Sequence, residues 1–141
     1  MQIRNAVAED LPALITVDAV ARGNIERVES LRAAIAAGEC IVAAQDQALL
    51  GYVVLNHAFY QNGFVPLLYV SADSRRQGVG TALLRAAEAR CRTEKLFTST
   101  NESNYPMRAL LKAAGYQPSG AINNLDPGDP ELVYVRFRSR P

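Results

Sequence analysis

The segment Leu67-Leu68-Tyr69-Val70-Ser71-Ala72-Asp73-Ser74-Arg75-Arg76-Gln77-Gly78-Val79-Gly80-Thr81 holds the residues best suited to chemistry in this chain. Its apolar start reads as a strand, which runs into a basic, glycine-containing turn that opens a helix. The first N–H groups of a helix have no partner within it, and that end of the helix dipole is positive, so anions bind there. Gly78 and Gly80 let a ligand approach the backbone closely. Arg75 and Arg76 add fixed positive charge. The segment reads as an anion cradle suited to a pyrophosphate. It is not a Walker A loop, since no Gly-Lys-Ser/Thr triplet occurs. It is not a dinucleotide fingerprint either, since Leu83 stands where a third glycine belongs. The plain alternative is a solvated basic turn with helix-capping glycines.

Few other residues offer reactive chemistry. His57 is the single histidine and alternates with Val53, Leu55 and Phe59. It reads as a packed or hydrogen-bonded structural residue. Facing a cleft, it would titrate near neutrality. Cys40 and Cys91 are too few for a disulfide framework or a four-cysteine metal site, and each falls on an apolar stretch. No metal is expected. The acidic stretch 126–131 reads as a turn, or as an attraction for a cationic amine. Tyr60, Asn62 and Phe64 stand near a turn, placed to shape an acceptor pocket. Arg136, Arg138 and Arg140 alternate along one strand face and read as a solvated edge.

The elements that must position these residues follow from periodicity. A strand begins at Ile3, and a helical pattern covers 8–20 with Pro12 in its first turn. A second helix covers 24–37, capped by Asn24 and stopped by Gly38. Strands follow over 40–44 and 49–59, linked by a hairpin at 46–48. A turn at Asn62-Gly63 leads to a strand over 64–70. Pro66 inside that strand predicts a bulge or a broken pairing, because proline cannot donate a ladder hydrogen bond. The stripe of Val79, Leu83, Ala86, Ala87 and Cys91 makes an amphipathic helix. A strand over 95–100, a helix around Met107–Ala114 ending at Gly115, and strands over 116–122 and 132–137 complete the order βααβββαβαββ. This is an α/β layout around a mixed sheet.

Length and charge bound the function. The 141 residues fit one domain, 1–141. With 15 basic against 14 acidic residues the net charge is +1, which argues against a nucleic-acid coat or a polybasic membrane binder. No apolar run reaches transmembrane length, and Met1 to Asp10 shows no signal-peptide pattern. A cytoplasmic protein is expected.

Arg75-x-x-Gly78-x-Gly80 after Leu68-Tyr69-Val70 resembles the coenzyme A motif of the GNAT acyltransferase superfamily. Asn104, eleven residues before Gly115-Tyr116, resembles the superfamily's second signature. Residues 2–20 resemble a common opening of the family, so the likeness runs over essentially the whole chain. The resemblance implies a GNAT-like single domain: a mixed, mostly antiparallel sheet of six or seven strands flanked by four helices. It implies acetyl-CoA as co-substrate. The pyrophosphate would lie on the main chain of Gln77, Gly78, Val79, Gly80 and Thr81 beside Arg75 and Arg76. The pantetheine arm would run along Leu68, Tyr69 and Val70, with Asn104 reaching it and a main-chain N–H near Val70 facing the oxyanion. The implied activity is N-acetylation of an amine of a small molecule or peptide, by direct attack in a ternary complex. The pattern departs at two places. Ser99 and Leu111 stand where well-known members carry a glutamate base and a tyrosine acid, so the catalytic residues stay unassigned. Glu102 through water and Tyr105 are the nearby candidates. That departure keeps a rival open, a non-catalytic coenzyme A-binding regulatory module. Neither nucleic acid nor membrane is an expected partner. An exposed final strand would allow a homodimer.

Overall fold

The structure is a computed structural model and describes residues 1–138. Arg140 lies outside the described residues. The strands are β1 (Gln2–Asn5), β2 (Cys40–Gln45), β3 (Ala48–Phe59), β4 (Asn62–Val70), β5 (Lys95–Asn101), β6 (Gln117–Ile122) and β7 (Glu131–Phe137). The helices are α1 (Leu11–Val17), α2 (Ile25–Ala36), α3 (Val79–Arg90) and α4 (Tyr105–Ala113), with 3-10 turns at Ala8–Asp10 and Ala72–Ser74. The order is the one expected from periodicity. The strands form a seven-stranded mixed sheet in the order β1-β2-β3-β4-β5-β7-β6. Among the described residues no helix is long and apolar enough to cross a membrane.

Local chemistry sets the boundaries. The Asn24 side chain accepts from the Arg27 N–H at 3.0 Å and caps α2. Helix α1 ends at Val17 rather than continuing to Val20, because Asp18 is extended and its Oδ1 takes the Val20 N–H at 2.9 Å. Asp46 and Gln47, with φ of 52° and 69°, turn β2 into β3. The next turn is a correction. It falls on Tyr60-Gln61, with φ of 51° and 66°, and not on Asn62-Gly63. The Asn62 side chain donates to the Tyr60 carbonyl at 3.0 Å and supports that turn. Gly63 is needed inside β4, where a Cβ would collide with Cys91 Sγ.

The chain divides into two compact units. The first comprises Met1–Leu55 and Leu67–Ala89. Leu14 and Leu31 are fully buried in its core with Tyr52, and Leu67 and Tyr69 pack against that cluster. At its centre the fully buried Asp18 accepts from Tyr52 Oη at 2.5 Å and from Arg27 Nε at 2.9 Å. Tyr69 stacks on Tyr52 with ring centroids 6.3 Å apart, and its hydroxyl accepts from the Ala19 N–H at 3.2 Å. Burial pushes the Cys40 thiol up from 9.0 to about 12, and the Asp10 carboxylate adds to the shift. Burial pushes the Tyr52 phenol upward as well, and its bond to Asp18 adds to that. Both groups hold their protons more tightly folded than unfolded. Their stabilisation is complete below the unfolded values and is lost as pH rises through the folded ones. The urea midpoint should therefore fall from about pH 9 upward, and Cys40→Ala should flatten the first part of that fall. An unchanged alkaline slope in this variant would disprove the assignment.

The second unit comprises Asn56–Pro66 and the chain from Arg90 onward. Here β4 pairs in parallel with β5 over Gly63–Val65 against Leu96–Thr98. The ladder ends at Val65, before Pro66, which has no N–H to donate. Thr98 Oγ1 donates to the Val65 carbonyl at 2.8 Å, so a side chain serves the last paired carbonyl. Two arginines read as a solvated edge are tied down instead. Arg136 Nη1 donates to the Ala114 carbonyl at 3.0 Å, at the negative end of α4. The Arg138 guanidinium donates to the Cys91 and Thr93 carbonyls. The final strand is not an edge either, since β7 is paired by β5 on one side and β6 on the other. On this side of the sheet the edge is β6, whose pairing with β7 is interrupted by Pro118 and a register shift before Gly120.

Candidate functional site

Helix α3 starts cleanly at the glycine turn. Its first bond runs from the Ala82 N–H to the Gly78 carbonyl at 3.0 Å. The N–H groups of Val79, Gly80 and Thr81 therefore precede the first intrahelical donor. No acid stands in this first turn. Arg76 and Gly78 both take left-handed φ, 64° and 81°, on either side of Gln77. The left-handed arginine has no signature in the sequence. A Cβ on Gly78 would meet nothing within 4 Å, so the outer side of the turn is open. Buried Val79 anchors the helix start, and a 2.9 Å bond between Ser71 Oγ and buried Ser74 Oγ pins the turn before it.

The two arginines differ. Arg75 Nε donates to the Val70 carbonyl at 3.2 Å, and its guanidinium lies 5.7 Å from the Tyr69 ring centroid. It therefore braces the end of β4. Arg76 is exposed beside the turn, and Gln77 Nε2 donates to the Asp73 carbonyl at 3.3 Å. Leu67 and Tyr69 pack on the first unit's core, so Leu68 and Val70 turn to the opposite face. Leu68–Val70 and Arg75–Thr81 thus belong to one unit and follow one another directly.

The remaining expected residues stand in the second unit. Asn104 caps α4, its Oδ1 accepting from the Met107 N–H at 3.3 Å. Leu111 is fully buried and serves the core. Tyr105 is exposed. His57 Nε2 accepts from the Arg92 N–H at 3.0 Å, so the histidine is a structural link. The acidic loop is also structural in part. Asp126 accepts from Asn101 Nδ2 at 3.0 Å, and Asp129 accepts from the Ser103 N–H at 3.0 Å and from Ser103 Oγ at 2.6 Å. Tyr60 is exposed, while Phe64 stacks on Phe59 at 4.9 Å. Glu131 closes the acidic stretch 126–131, and its Oε2 accepts from Ser99 Oγ at 2.7 Å, a partner that sequence reasoning did not give it. The two residues are far apart in the chain and meet only through strand pairing.

An open helix N-terminus with no acid in its first turn, next to an exposed arginine, has the donor set for a phosphate-bearing ligand. Residues 6–116 match the family model described as "Acetyltransferase (GNAT) family". Among solved structures, a GNAT-family acetyltransferase from Bacillus cereus is 32% identical, with a TM-score of 0.91 over 99% of this chain and 98% of that one. A ribosomal-protein-alanine N-acetyltransferase from Brucella melitensis is 20% identical, with a TM-score of 0.77 over 98% of this chain and 100% of that one. Ard1 from Thermoplasma volcanium is 16% identical, with a TM-score of 0.84 over 99% and 98%. The last two share the fold. No curated protein matches the chain significantly.

Proposed function

The chain belongs to the GNAT acetyltransferase family, whose enzymes use acetyl-CoA, and from that premise we propose that it moves an acetyl group to an amine of a small molecule or peptide by direct attack in a ternary complex. The observation that carries this reading is the open, acid-free N-terminus of α3 behind the left-handed turn at Arg76 and Gly78. In the proposed site the N–H groups of Gln77 to Thr81 hold the pyrophosphate, and Arg76 adds charge. The main chain of Leu68, Tyr69 and Val70 pairs with the pantetheine arm, and Arg75 keeps that strand end in place. Asn104, in the second unit, uses Oδ1 for its cap, and its amide N–H group stays chemically suited to donate to coenzyme A. The co-substrate supplies an activated thioester. The Val70 N–H is placed to stabilise negative charge on the carbonyl oxygen as it develops. Buried Leu111 offers no proton, so the leaving thiolate is protonated from solvent. The reading places the protein in the cytoplasm, where Cys40 and Cys91 stay reduced.

Calorimetry with acetyl-CoA tests the site. Gly78→Glu brings a carboxylate to the open side of the turn and should weaken binding at least ~10-fold, since like charges repel. Gly78→Ala carries the same left-handed strain without the charge and should bind within a fewfold of the parent. A folded Gly78→Glu protein with parental affinity would sink the assignment. Free-thiol release from acetyl-CoA in the presence of an amine separates turnover from mere binding.

A further inference from the structure

The N–H and carbonyl of Val70 point to one edge of β4, and the Arg75 side chain stands at that edge. Both backbone groups of a strand residue share an edge, and the edge alternates from residue to residue. The Ser71 N–H donates to the Leu50 carbonyl of β3 at 2.8 Å, and the Tyr69 carbonyl oxygen crowds Gly51 of the same strand. Tyr69 and Ser71 therefore face β3, and Val70 faces away from it. The Val70 carbonyl is taken by a side chain, Arg75 Nε at 3.2 Å. Arg75 is extended, with φ of −71° and ψ of 153°, and reaches back to the strand it follows. Its guanidinium is held from a second side, 5.7 Å from the Tyr69 ring centroid. Tyr69 is itself fixed by its stack on Tyr52 and by the Ala19 N–H. An arginine has further N–H donors on its two terminal nitrogens. Among the described residues those of Arg75 have no acceptor, and no carboxylate pairs with this cation. All of these residues belong to the first unit.

We propose that Arg75 is a catalytic residue: its guanidinium, beside the Val70 N–H, takes up part of the negative charge that develops on the thioester carbonyl oxygen. This rests on the coenzyme reading above, which brings the thioester to the end of β4. An oxygen that accepts from the Val70 N–H meets the guanidinium at the same edge. In the transfer the amine lone pair forms the C–N bond, and the carbonyl π pair moves onto oxygen. That oxygen carries the charge the two donors share. The carbonyl re-forms as the C–S bond breaks with its electron pair on sulfur. The nitrogen sheds one proton to solvent and the thiolate takes one from solvent. Amine and acetyl-CoA thus give amide and coenzyme A thiol. A cation already held by Val70 and Tyr69 needs no reorganisation as the charge appears. Of the two adjacent arginines, Arg76 alone is then left to the phosphates.

Infrared spectroscopy of bound acetyl-CoA, isotope-labelled at the acetyl carbonyl, tests this without any acceptor. Donors at the oxygen weaken the C=O bond, so the parent should lower the carbonyl stretch relative to free acetyl-CoA. Arg75→Gln puts its Nε2 at the same distance along the side chain as Arg75 Nε, so it can keep the bond to the Val70 carbonyl while the charge is gone. This variant should lose the larger part of the lowering, with an acetyl-CoA affinity within a fewfold of the parent by calorimetry. In the thiol-release assay its kcat should fall about 10²-fold, as for loss of an oxyanion donor. Arg75→Lys keeps a charge without the planar fork and should fall between the two. Arg76→Gln should do the reverse, weakening affinity while the bound stretch stays parental. A folded Arg75→Gln protein with the parental stretch overturns the proposal and leaves Arg75 a brace alone. So does one whose affinity collapses while its bound stretch stays parental, which would make Arg75 a phosphate ligand. A parent that binds acetyl-CoA without lowering the stretch overturns it too. A parent that does not bind acetyl-CoA overturns the earlier reading instead, and this proposal falls with it.

Discussion

Asp18→Ala should destabilise the protein by about 3–5 kcal/mol in urea unfolding, the range for removing one partner of a buried ion pair. The carboxylate is fully buried and receives Tyr52 Oη at 2.5 Å, Arg27 Nε at 2.9 Å, and the Val20 and Ala21 N–H groups at 2.9 and 3.3 Å. Its loss leaves the Arg27 guanidinium, 20% exposed, without its counter-ion, and the buried Tyr52 hydroxyl without its acceptor. The α1–α2 connection loses its two anchors as well. Arg27→Met placed on top of Asp18→Ala should recover part of the loss, because it removes the stranded charge. An effect under about 1 kcal/mol, the level of an exposed pair, would show that the network is incidental.

Gly51→Val should combine a stability loss with a binding loss. A Cβ at Gly51 would lie 2.5 Å from the Tyr69 carbonyl oxygen and 3.1 Å from Val70 Cα. Both are backbone atoms, so β4 must shift rather than a side chain swing aside. Overpacking of this kind costs about 1–3 kcal/mol. The shifted segment is the one proposed to pair with the pantetheine arm. Acetyl-CoA affinity should therefore fall at least ~10-fold in protein that remains folded, a loss of about 1.4 kcal/mol of binding. Parental affinity in a folded Gly51→Val protein would remove Tyr69 and Val70 from the coenzyme site.

How much was legible in the sequence depended on the range of the cause. Local causes read well. The stripe of α3, the Asn24 cap, and the end of the parallel ladder at Pro66 each depend on neighbours a few residues away. The glycine turn is local too, which is why the turn before α3 and the helix start could be read without coordinates. Tertiary causes did not read. Asn62-Gly63 has turn chemistry, yet Gly63 is there because Cys91 Sγ fills the space above it. Arg136 and Arg138 have the alternation of a wetted edge, yet they reach carbonyls 22 and 47 residues away. Tyr52 and Asp18 stand 34 residues apart, and Ser99 and Glu131 stand 32 apart. No periodicity links such pairs.

The two free thiols have a use beyond packing. Cys40 is buried in the first unit and Cys91 in the second, at 1% and 3% exposure. Neither can meet an alkylating reagent until its surroundings open. Labelling rates at the two positions, resolved by peptide mass, therefore measure the opening free energy of each unit separately in native buffer. Equal rates would mean that the chain opens as one cooperative body. Unequal rates would show which half loosens first, and a ligand that slows one thiol alone would reveal by kinetics where it sits.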